Sequence, residues 1–221
     1  MSEALPVVRL KSVTEYGQAN ENTPLFNKIS LDIPPATSVG ILGGPRTGKS
    51  TLARLIAGQN KPTAGSIKHA GNVSWPSHLP IRPMPTLTLR DYVHFIARIY
   101  SADPDHVLDN VLTISGLPGD GKLLMGDLDK IARTKLNFSL KFAFDFDCYI
   151  MDELSFSPDP IFKLMAETVT ERMRNKRSLV ILSKSERLLK RFCDVIYQLD
   201  AGNLQNLGPC SPPGHGANDP E

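Results

Sequence analysis

The sequence predicts an α/β fold with a mainly parallel central sheet, and two observations carry this prediction. Short apolar runs typical of strands alternate with stretches of helical periodicity in the later part of the chain. A glycine-rich segment also joins an apolar strand at residues 38–42 directly to a helix that begins near Ser50. Alternating strands and helices favour parallel strands connected by crossover helices.

The strands and helices are predicted in the following order. Apolar runs at 7–10 and 25–33, broken by the mostly polar stretch 17–24, predict an N-terminal β part. A helix at 50–57 follows the 38–42 strand, and short strands are expected around Ile67 and Val73. Later strands are expected at 148–151, 179–182 and 195–199, with helices at 161–175 and 186–192 between them.

A helical insertion interrupts the strand-rich part. The segment 75–87 contains four prolines, which exclude a helix interior or a central strand, so an ordered surface loop is expected. Helical patterns then run from Thr88, a good N-cap residue, through 104–114 and 129–144. We therefore expect one domain over 1–207 with a helical subdomain at about 88–144. The tail 208–221, half of it Gly or Pro, is expected to be disordered.

Composition excludes several classes of protein. The chain has 221 residues, 41% hydrophobic and 22% charged, which excludes disorder for most of it. A formal net charge of +2 does not suggest a nucleic-acid partner. No apolar run approaches the roughly 18 residues of a spanning helix, and residues 1–10 do not resemble a signal peptide. Three dispersed cysteines suggest neither a disulfide framework nor a zinc site, and a reducing compartment fits them.

Residues 43–50 form the most informative motif. They read Gly-Gly-Pro-Arg-Thr-Gly-Lys-Ser, fit G-x-x-x-x-G-K-[ST], and lie between an apolar strand and a helix, as a phosphate-binding loop (P-loop) requires. Backbone amides and the helix N-terminus would surround phosphate, Lys49 would reach the outer phosphates, and Ser50 would ligate Mg²⁺. A glycine turn with a chance lysine is the weaker alternative. The candidate ATP-binding residues here are Gly43, Gly44, Pro45, Arg46, Thr47, Gly48, Lys49, Ser50 and Thr51.

An acidic pair follows the 148–151 strand. Asp152 is placed to serve Mg²⁺ together with Ser50, and Glu153 to orient or deprotonate an attacking water as a catalytic residue. The alternative is that the pair only caps the next helix. Its occurrence together with the P-loop favours the metal and catalytic roles.

Taken together, these motifs resemble the ATP-binding subunits of ABC transporters, and more narrowly those of capsular polysaccharide exporters. The resemblance spans about residues 7–207. It includes the P-loop, Ser74-Trp75-Pro76, Arg90-Asp91 at a helix start, the acidic strand 146–153 and the closing stretch 199–202. It implies a P-loop NTPase of the ABC ATPase type, with a mainly parallel central sheet, an N-terminal antiparallel β part and an inserted helical subdomain.

The resemblance also implies a function. The chain would bind ATP and Mg²⁺ as a peripheral subunit on the cytoplasmic face of the inner membrane. It would couple ATP binding and hydrolysis to polysaccharide export through a polytopic transmembrane permease. It would also pair with a second nucleotide-binding subunit, either a copy of itself or a different chain. Tyr16 would stack on adenine, with an edge-strand tyrosine as the alternative, and Asp159 would cross the dimer interface, with a helix N-cap as the alternative.

Three departures from the family pattern predict low ATPase activity. The signature that faces the partner's γ-phosphate is replaced by residues 128–132, Leu-Asp-Lys-Ile-Ala, which set Asp129 toward phosphate. Met84 or Pro85 lies where a glutamine is expected. Lys184 replaces the histidine near the γ-phosphate, where it would stabilise the transferring phosphoryl group or remain a solvated turn residue. A degenerate ATP-binding subunit with negligible hydrolysis is thus one alternative, and a soluble P-loop phosphotransferase is another.

Overall fold

The computed structural model describes residues 5–17, 20–76, 83–153, 159–174 and 176–210. They fall into two compact units, the first within Met1–Pro76, Phe146–Leu154 and Glu171–Glu221, the second within Ser77–Asp145 and Ser155–Thr170. The strands are β1 (Val8–Gly17), β2 (Asn20–Ile33), β3 (Ser38–Leu42), β4 (Ala64–His69), β5 (Cys148–Asp152), β6 (Ser178–Ser183), β7 (Val195–Asp200) and β8 (Asn203–Pro209). The helices are α1 (Lys49–Ile56), α2 (Leu89–Ile99), α3 (Pro104–Ser115), α4 (Lys130–Phe142), α5 (Pro160–Arg174) and α6 (Glu186–Phe192).

The first unit contains two sheets. The antiparallel sheet has the strand order β2-β1-β4, and the mixed sheet has the order β5-β6-β3-β7-β8. Within the mixed sheet β5, β6, β3 and β7 run parallel, and only β8 pairs antiparallel to its neighbour. The structure therefore confirms the predicted α/β fold with a mainly parallel central sheet and an antiparallel β part.

Burial explains why the central strands read as continuous apolar runs. Both faces of a parallel sheet are covered, so its strands are hydrophobic throughout instead of alternating. Every residue of β6 is buried, and four of the five residues in β3 and in β5 are buried. Side chains of both sheets and α1 form one core, which includes Val8, Leu10, Phe26, Ile33, Val39, Ile41, Leu52, Leu55, Ile56, Ile150, Val180 and Leu182.

The second unit is helical. Helices α2, α3 and α4 lie within the range 88–144 expected for the inserted subdomain. Thr88 caps α2 as predicted, in a reciprocal capping box with Asp91. Phe138, Phe142 and Phe162 stack in this unit, with ring centroids 4.6 and 5.7 Å apart, so these aromatic side chains serve packing.

Three sequence expectations need correction. The polar stretch 17–24 does not break the β part, because β1 reaches Gly17 and β2 begins at Asn20, its pairing partner. Val73 forms only an isolated bridge with Cys148. The boundary expected at residue 208 lies inside β8, where backbone pairing with β7 holds Gly208 and Pro209; residues 211–221 of the expected tail lie outside the described residues.

Among the residues that the structure describes, no helix is both long and apolar enough to span a membrane.

Candidate phosphate-binding site

The central sheet brings the two phosphate-site motifs to one edge. Parallel strands end at the same edge of a sheet, and here Leu42 pairs with Ser183 while Asp152 pairs with Leu182. The last two carbonyls of β6 accept hydrogen bonds from the segments that directly follow β3 and β5. Ser183 accepts a hydrogen bond from the Gly43 amide at 3.1 Å, and Leu182 accepts one from the Glu153 amide at 2.9 Å.

The P-loop is a compact turn between β3 and α1. The Thr47 hydroxyl donates to the Gly44 carbonyl at 3.0 Å, which closes the turn. Gly48 is the N-cap of α1 with φ of +95°, and it has no side chain with which to cap the helix. A Cβ atom at Gly48 would lie 2.7 Å from a ring carbon of Phe26, so glycine is required for packing as well as for conformation.

This geometry suits an anion. The first amides of a helix lack intrahelical partners, and the helix dipole adds positive potential at the same end. At α1 these amides belong to Lys49, Ser50 and Thr51, directly after the turn. Backbone amides aimed from a glycine loop and a helix N-terminus are a common phosphate-binding arrangement.

Lys49 is the buried cation of the site. Its ammonium donates to the carbonyls of Gly43 and Gly44, each at 2.8 Å, and lies 3.4 Å from a carboxylate oxygen of Glu153. A buried charge is tolerated only when it is paired and hydrogen-bonded, and all three contacts meet that need. The structure thus brings together the P-loop and the acidic pair, which the sequence shows only as separate motifs.

These residues line a cleft of about 360 Å³. Its walls are formed by Leu25, Pro45, Arg46, Gly48, Lys49, Ser50, Thr51 and Glu153. The walls include two basic side chains, Arg46 and Lys49, and the residues that carry the first amides of α1, while the Ser50 hydroxyl and the Glu153 carboxylate offer oxygen atoms. Oxygen donors are the ligands that Mg²⁺ prefers, so the cleft fits a phosphate with its metal.

Six predicted site residues lie outside the cleft walls: Gly43, Gly44 and Thr47 within the P-loop, and Tyr16, Asp152 and Lys184 beyond it. Tyr16 is 40% exposed on β1 and pairs with Pro24, whose neighbour Leu25 lines the cleft. Lys184 is exposed directly after β6, between Ser183 and the Ser185 N-cap of α6. Asp152 closes β5 and is partly buried, and its amide donates to the Pro76 carbonyl at 3.4 Å. Their roles toward ATP and Mg²⁺ remain predictions.

The residues compared with the signature lie at the start of α4. Asp129 is the N-cap, and its carboxylate accepts the Ala132 amide at 2.7 Å. Asp159 likewise caps α5, accepting the amides of Ile161 and Phe162 at 3.0 Å each, while Lys135 donates to its other carboxylate oxygen at 2.5 Å. The hydrogen bond from Lys135 is the main cause that lowers the pKa of Asp159.

Sequence reasoning did not identify Leu25 as a wall of the cleft. Leu25 contributes through β2, a strand of the other sheet, and its side chain lies against the P-loop beside Gly48. The only local signal was an apolar residue after Pro24, which is typical of any buried strand. Its position depends on tertiary packing.

Comparison with known proteins identifies the family of the chain. A family model described as "ABC transporter" matches residues 26–122. The polysialic acid transport ATP-binding protein KpsT of Escherichia coli is 30% identical over 198 residues, which cover 88% of this chain and 90% of that protein. The capsule polysaccharide export ATP-binding protein CtrD of Neisseria meningitidis serogroup B is 33% identical over 183 residues, covering 81% and 83%.

Solved structures agree on the fold. An ATP-binding cassette solved as a dimer in a post-hydrolysis state with ADP and Pi gives a TM-score of 0.78 at 16% identity, covering 92% of this chain and 99% of that one. At this identity the likeness establishes the fold alone. The similarity to KpsT and CtrD over most of both chains establishes more, and the chain therefore belongs to the ATP-binding proteins of the ABC transporter family.

Proposed function

We propose that this protein is the ATP-binding subunit of an ABC exporter that moves a capsular or extracellular polysaccharide. The observation that carries the proposal is the P-loop cleft, in which Lys49, the amides at the start of α1 and Glu153 meet. The relatives KpsT and CtrD, whose names give polysialic acid transport and capsule polysaccharide export, support the substrate class.

Residues of the cleft and of the neighbouring strands have separate parts in ATP binding. The P-loop amides and Lys49 hold the outer phosphates, and the Ser50 hydroxyl with Asp152 holds Mg²⁺, which when bound neutralises charge on the phosphates. Tyr16, beside the strand that supplies Leu25, stacks on the adenine. Glu153, more than half exposed at its side chain, orients the water that attacks the terminal phosphate.

The second unit offers a surface for the transmembrane permease. Several large apolar side chains of this unit are substantially exposed, which is unusual for a face that contacts only water. Four of them, on α2 and just before or after it, are Met84 (65%), Phe95 (48%), Ile99 (51%) and Tyr100 (39%). We assign these side chains to the docking of a helix of the permease. The proline-rich stretch 75–87 is proposed to take part as well, although residues 77–82 lie outside the described part of the chain. The subunit would then be peripheral, on the cytoplasmic face of the inner membrane.

The direct test of this function is nucleotide binding by the Lys49→Ala variant. Loss of the ammonium should abolish saturable binding of a fluorescent ATP analogue with Mg²⁺, and should abolish polysaccharide export in cells. Lys176→Ala, which removes an exposed cation after α5, is the matched control and should change neither. Unchanged affinity and unchanged export in Lys49→Ala would contradict the assignment.

A degenerate subunit that binds ATP without hydrolysing it is the second candidate. The Asp129 cap on α4 and the exposed Lys184 favour it, because neither side chain supplies the group that the family resemblance implies. Phosphate release by the wild type and by Glu153→Gln, each with its membrane partner, separates the candidates. Equal release favours the binding subunit, whereas loss of release in Glu153→Gln favours the ATPase.

A further inference from the structure

On the basis of the proposed function, we propose that Arg46 is a specificity-determining residue of the cleft. Its guanidinium binds the terminal phosphate of ATP and makes the site prefer a triphosphate to a diphosphate. The P-loop motif does not specify this contact, because it leaves position 46 open to any residue. The backbone conformation of Arg46, its unpaired side chain and the charges of the cleft walls support this role.

The backbone of Arg46 has a conformation that favours glycine. Its φ is +63°, in the left-handed region. Pro45 and Arg46 are the central residues of the turn in which the Thr47 hydroxyl donates to the Gly44 carbonyl. When proline is followed by a residue of positive φ in such a turn, that residue is usually glycine or asparagine. Arginine strains the loop here, and strained residues cluster at sites that bind ligands.

The Arg46 side chain is a cation without an opposite charge. Arg46 is exposed and lines the cleft. Within the part of the chain that the structure describes, its side chain makes no hydrogen bond and no ion pair. Arg9, by contrast, pairs with Asp32 at 2.9 Å. The Arg46 guanidinium is therefore available to a ligand, and its planar fork of donors matches the oxygen atoms of a phosphate.

The charges of the cleft walls make Arg46 decisive for the number of phosphates bound. The charged wall residues are Arg46, Lys49 and Glu153. Lys49 and Glu153 lie 3.4 Å apart and offset each other, so Arg46 supplies the net positive charge of the walls. ATP carries more negative charge than ADP because of its additional phosphate. Loss of Arg46 therefore weakens the binding of ATP more than the binding of ADP.

The position of Arg46 in the P-loop favours the outer end of the phosphate chain. Lys49 is buried, and its ammonium is held by the carbonyls of Gly43 and Gly44, so it meets phosphate at the base of the loop. Arg46 belongs to the same loop but is exposed, and its long side chain is not fixed by another residue of the described chain. The terminal phosphate is the group that such a side chain reaches.

Nucleotide binding without turnover tests this role. Calorimetric titration gives the Kd of a non-hydrolysable ATP analogue and of ADP, each with Mg²⁺, for the wild type and for Arg46→Asn. Asparagine removes the charge and tolerates the left-handed backbone. The Kd of the ATP analogue should rise about tenfold, the effect of one hydrogen bond to a charged group, and that of ADP less than about twofold. Arg54→Gln, which removes an exposed cation in the last turn of α1, is the control and should change neither Kd.

Stability separates phosphate binding from a role in shaping the loop. Arg46→Gly relieves the left-handed strain, so its Tm without nucleotide should rise by about 1–4 °C. Its preference for the ATP analogue over ADP should nevertheless fall by about the same factor as in Arg46→Asn. A residue that only shaped the turn would change stability and both affinities in the same direction.

Two results would overturn the role of Arg46. One is an equal loss of affinity for the ATP analogue and for ADP in Arg46→Asn, which would place the guanidinium on an inner phosphate. The other is an unchanged preference for the ATP analogue in both Arg46 variants. Either result leaves the proposed function standing if Lys49→Ala abolishes binding. Absence of nucleotide binding by the wild type would instead contradict the proposed function and the role of Arg46 with it.

Discussion

The Lys49 ammonium lies 3.4 Å from a Glu153 carboxylate oxygen, and this ion pair joins the P-loop to the acidic strand. The Lys49 side chain is 8% exposed and the Glu153 side chain 51%, so water screens the pair from one side. A phosphate oxygen that binds Lys49 must replace one of its contacts with Glu153, Gly43 or Gly44. Glu153 therefore influences nucleotide affinity in addition to its proposed role in hydrolysis.

Shortening Glu153 should raise nucleotide affinity. Glu153→Asp keeps the negative charge but draws it away from Lys49, and aspartate tolerates the positive φ of 56° at this position. A partly exposed ion pair is worth about 0.2–1 kcal/mol, so the Kd for ADP without Mg²⁺ should fall up to about fivefold. Titration of a fluorescent ADP analogue in EDTA measures the change.

A control separates the ion pair from the overall charge of the cleft. Asp152→Asn removes a neighbouring carboxylate without shortening Glu153, and reports how far charge alone affects Mg²⁺-free ADP binding. If Glu153→Asp binds ADP no more tightly than the wild type, the ion pair does not compete with phosphate.

Gly48→Ala should destabilise the protein strongly. The left-handed backbone costs a residue with a Cβ about 1–2 kcal/mol, and here the Cβ would lie 2.7 Å from the buried Phe26 ring. With the overpacking cost, we expect a loss of about 2–4 kcal/mol and a drop in Tm on the order of 5–15 °C. Thermal unfolding without nucleotide provides the measurement.

Gly44→Ala is the matched control in the same loop. The nearest neighbour of its new Cβ would be the Thr47 methyl at 3.8 Å, an ordinary contact. Its stability should stay within about 0.5 kcal/mol of the wild type. Equal Tm losses in the two variants would show that conformational strain at Gly48 is not the cause.

Lys184→Ala tests whether this cation acts on the transferring phosphoryl group. Because removing a positioned transition-state donor costs about 10²–10³ in rate and Lys184 is exposed, we expect a fall of about 10- to 100-fold in phosphate release. Nucleotide affinity should remain unchanged. Lys176→Ala is the charge-matched comparison, and equal phosphate release by the two variants would make Lys184 a turn residue.

Thiol reactivity should distinguish the three cysteines. Burial raises the pKa of Cys148 to about 12 and also raises the pKa of Cys193, so both stay protonated as the pH rises from 7 to 9. Cys210 is partly exposed. One thiol per chain should therefore react rapidly with a disulfide reagent, and Cys210→Ser should remove that phase. A fast phase that survives in Cys210→Ser would show that a buried cysteine is accessible.

Local sequence patterns predicted much of the fold. Residues 43–50 located the P-loop, and Thr88 located the start of α2, because turn and cap chemistry depends on adjacent residues. β8 was missed, since its glycine and proline content is typical of a loop and its stability comes from pairing with β7. The sequence analysis singled out Asp129 but did not predict that its carboxylate caps α4, because that bond depends on the residue at which α4 begins.

The amino-acid sequence by itself determined that this protein has a phosphate loop between a strand and a helix, followed much later by an acidic strand end. Only the tertiary structure decided that Glu153 lies beside Lys49 and that Leu25 closes the cleft. A motif depends only on residues adjacent in sequence. The contact between Glu153 and Lys49 arises because β5 and β3 both pair with β6, and Leu25 reaches the cleft because the antiparallel sheet shares a core with α1. Such packing is a property of the whole chain.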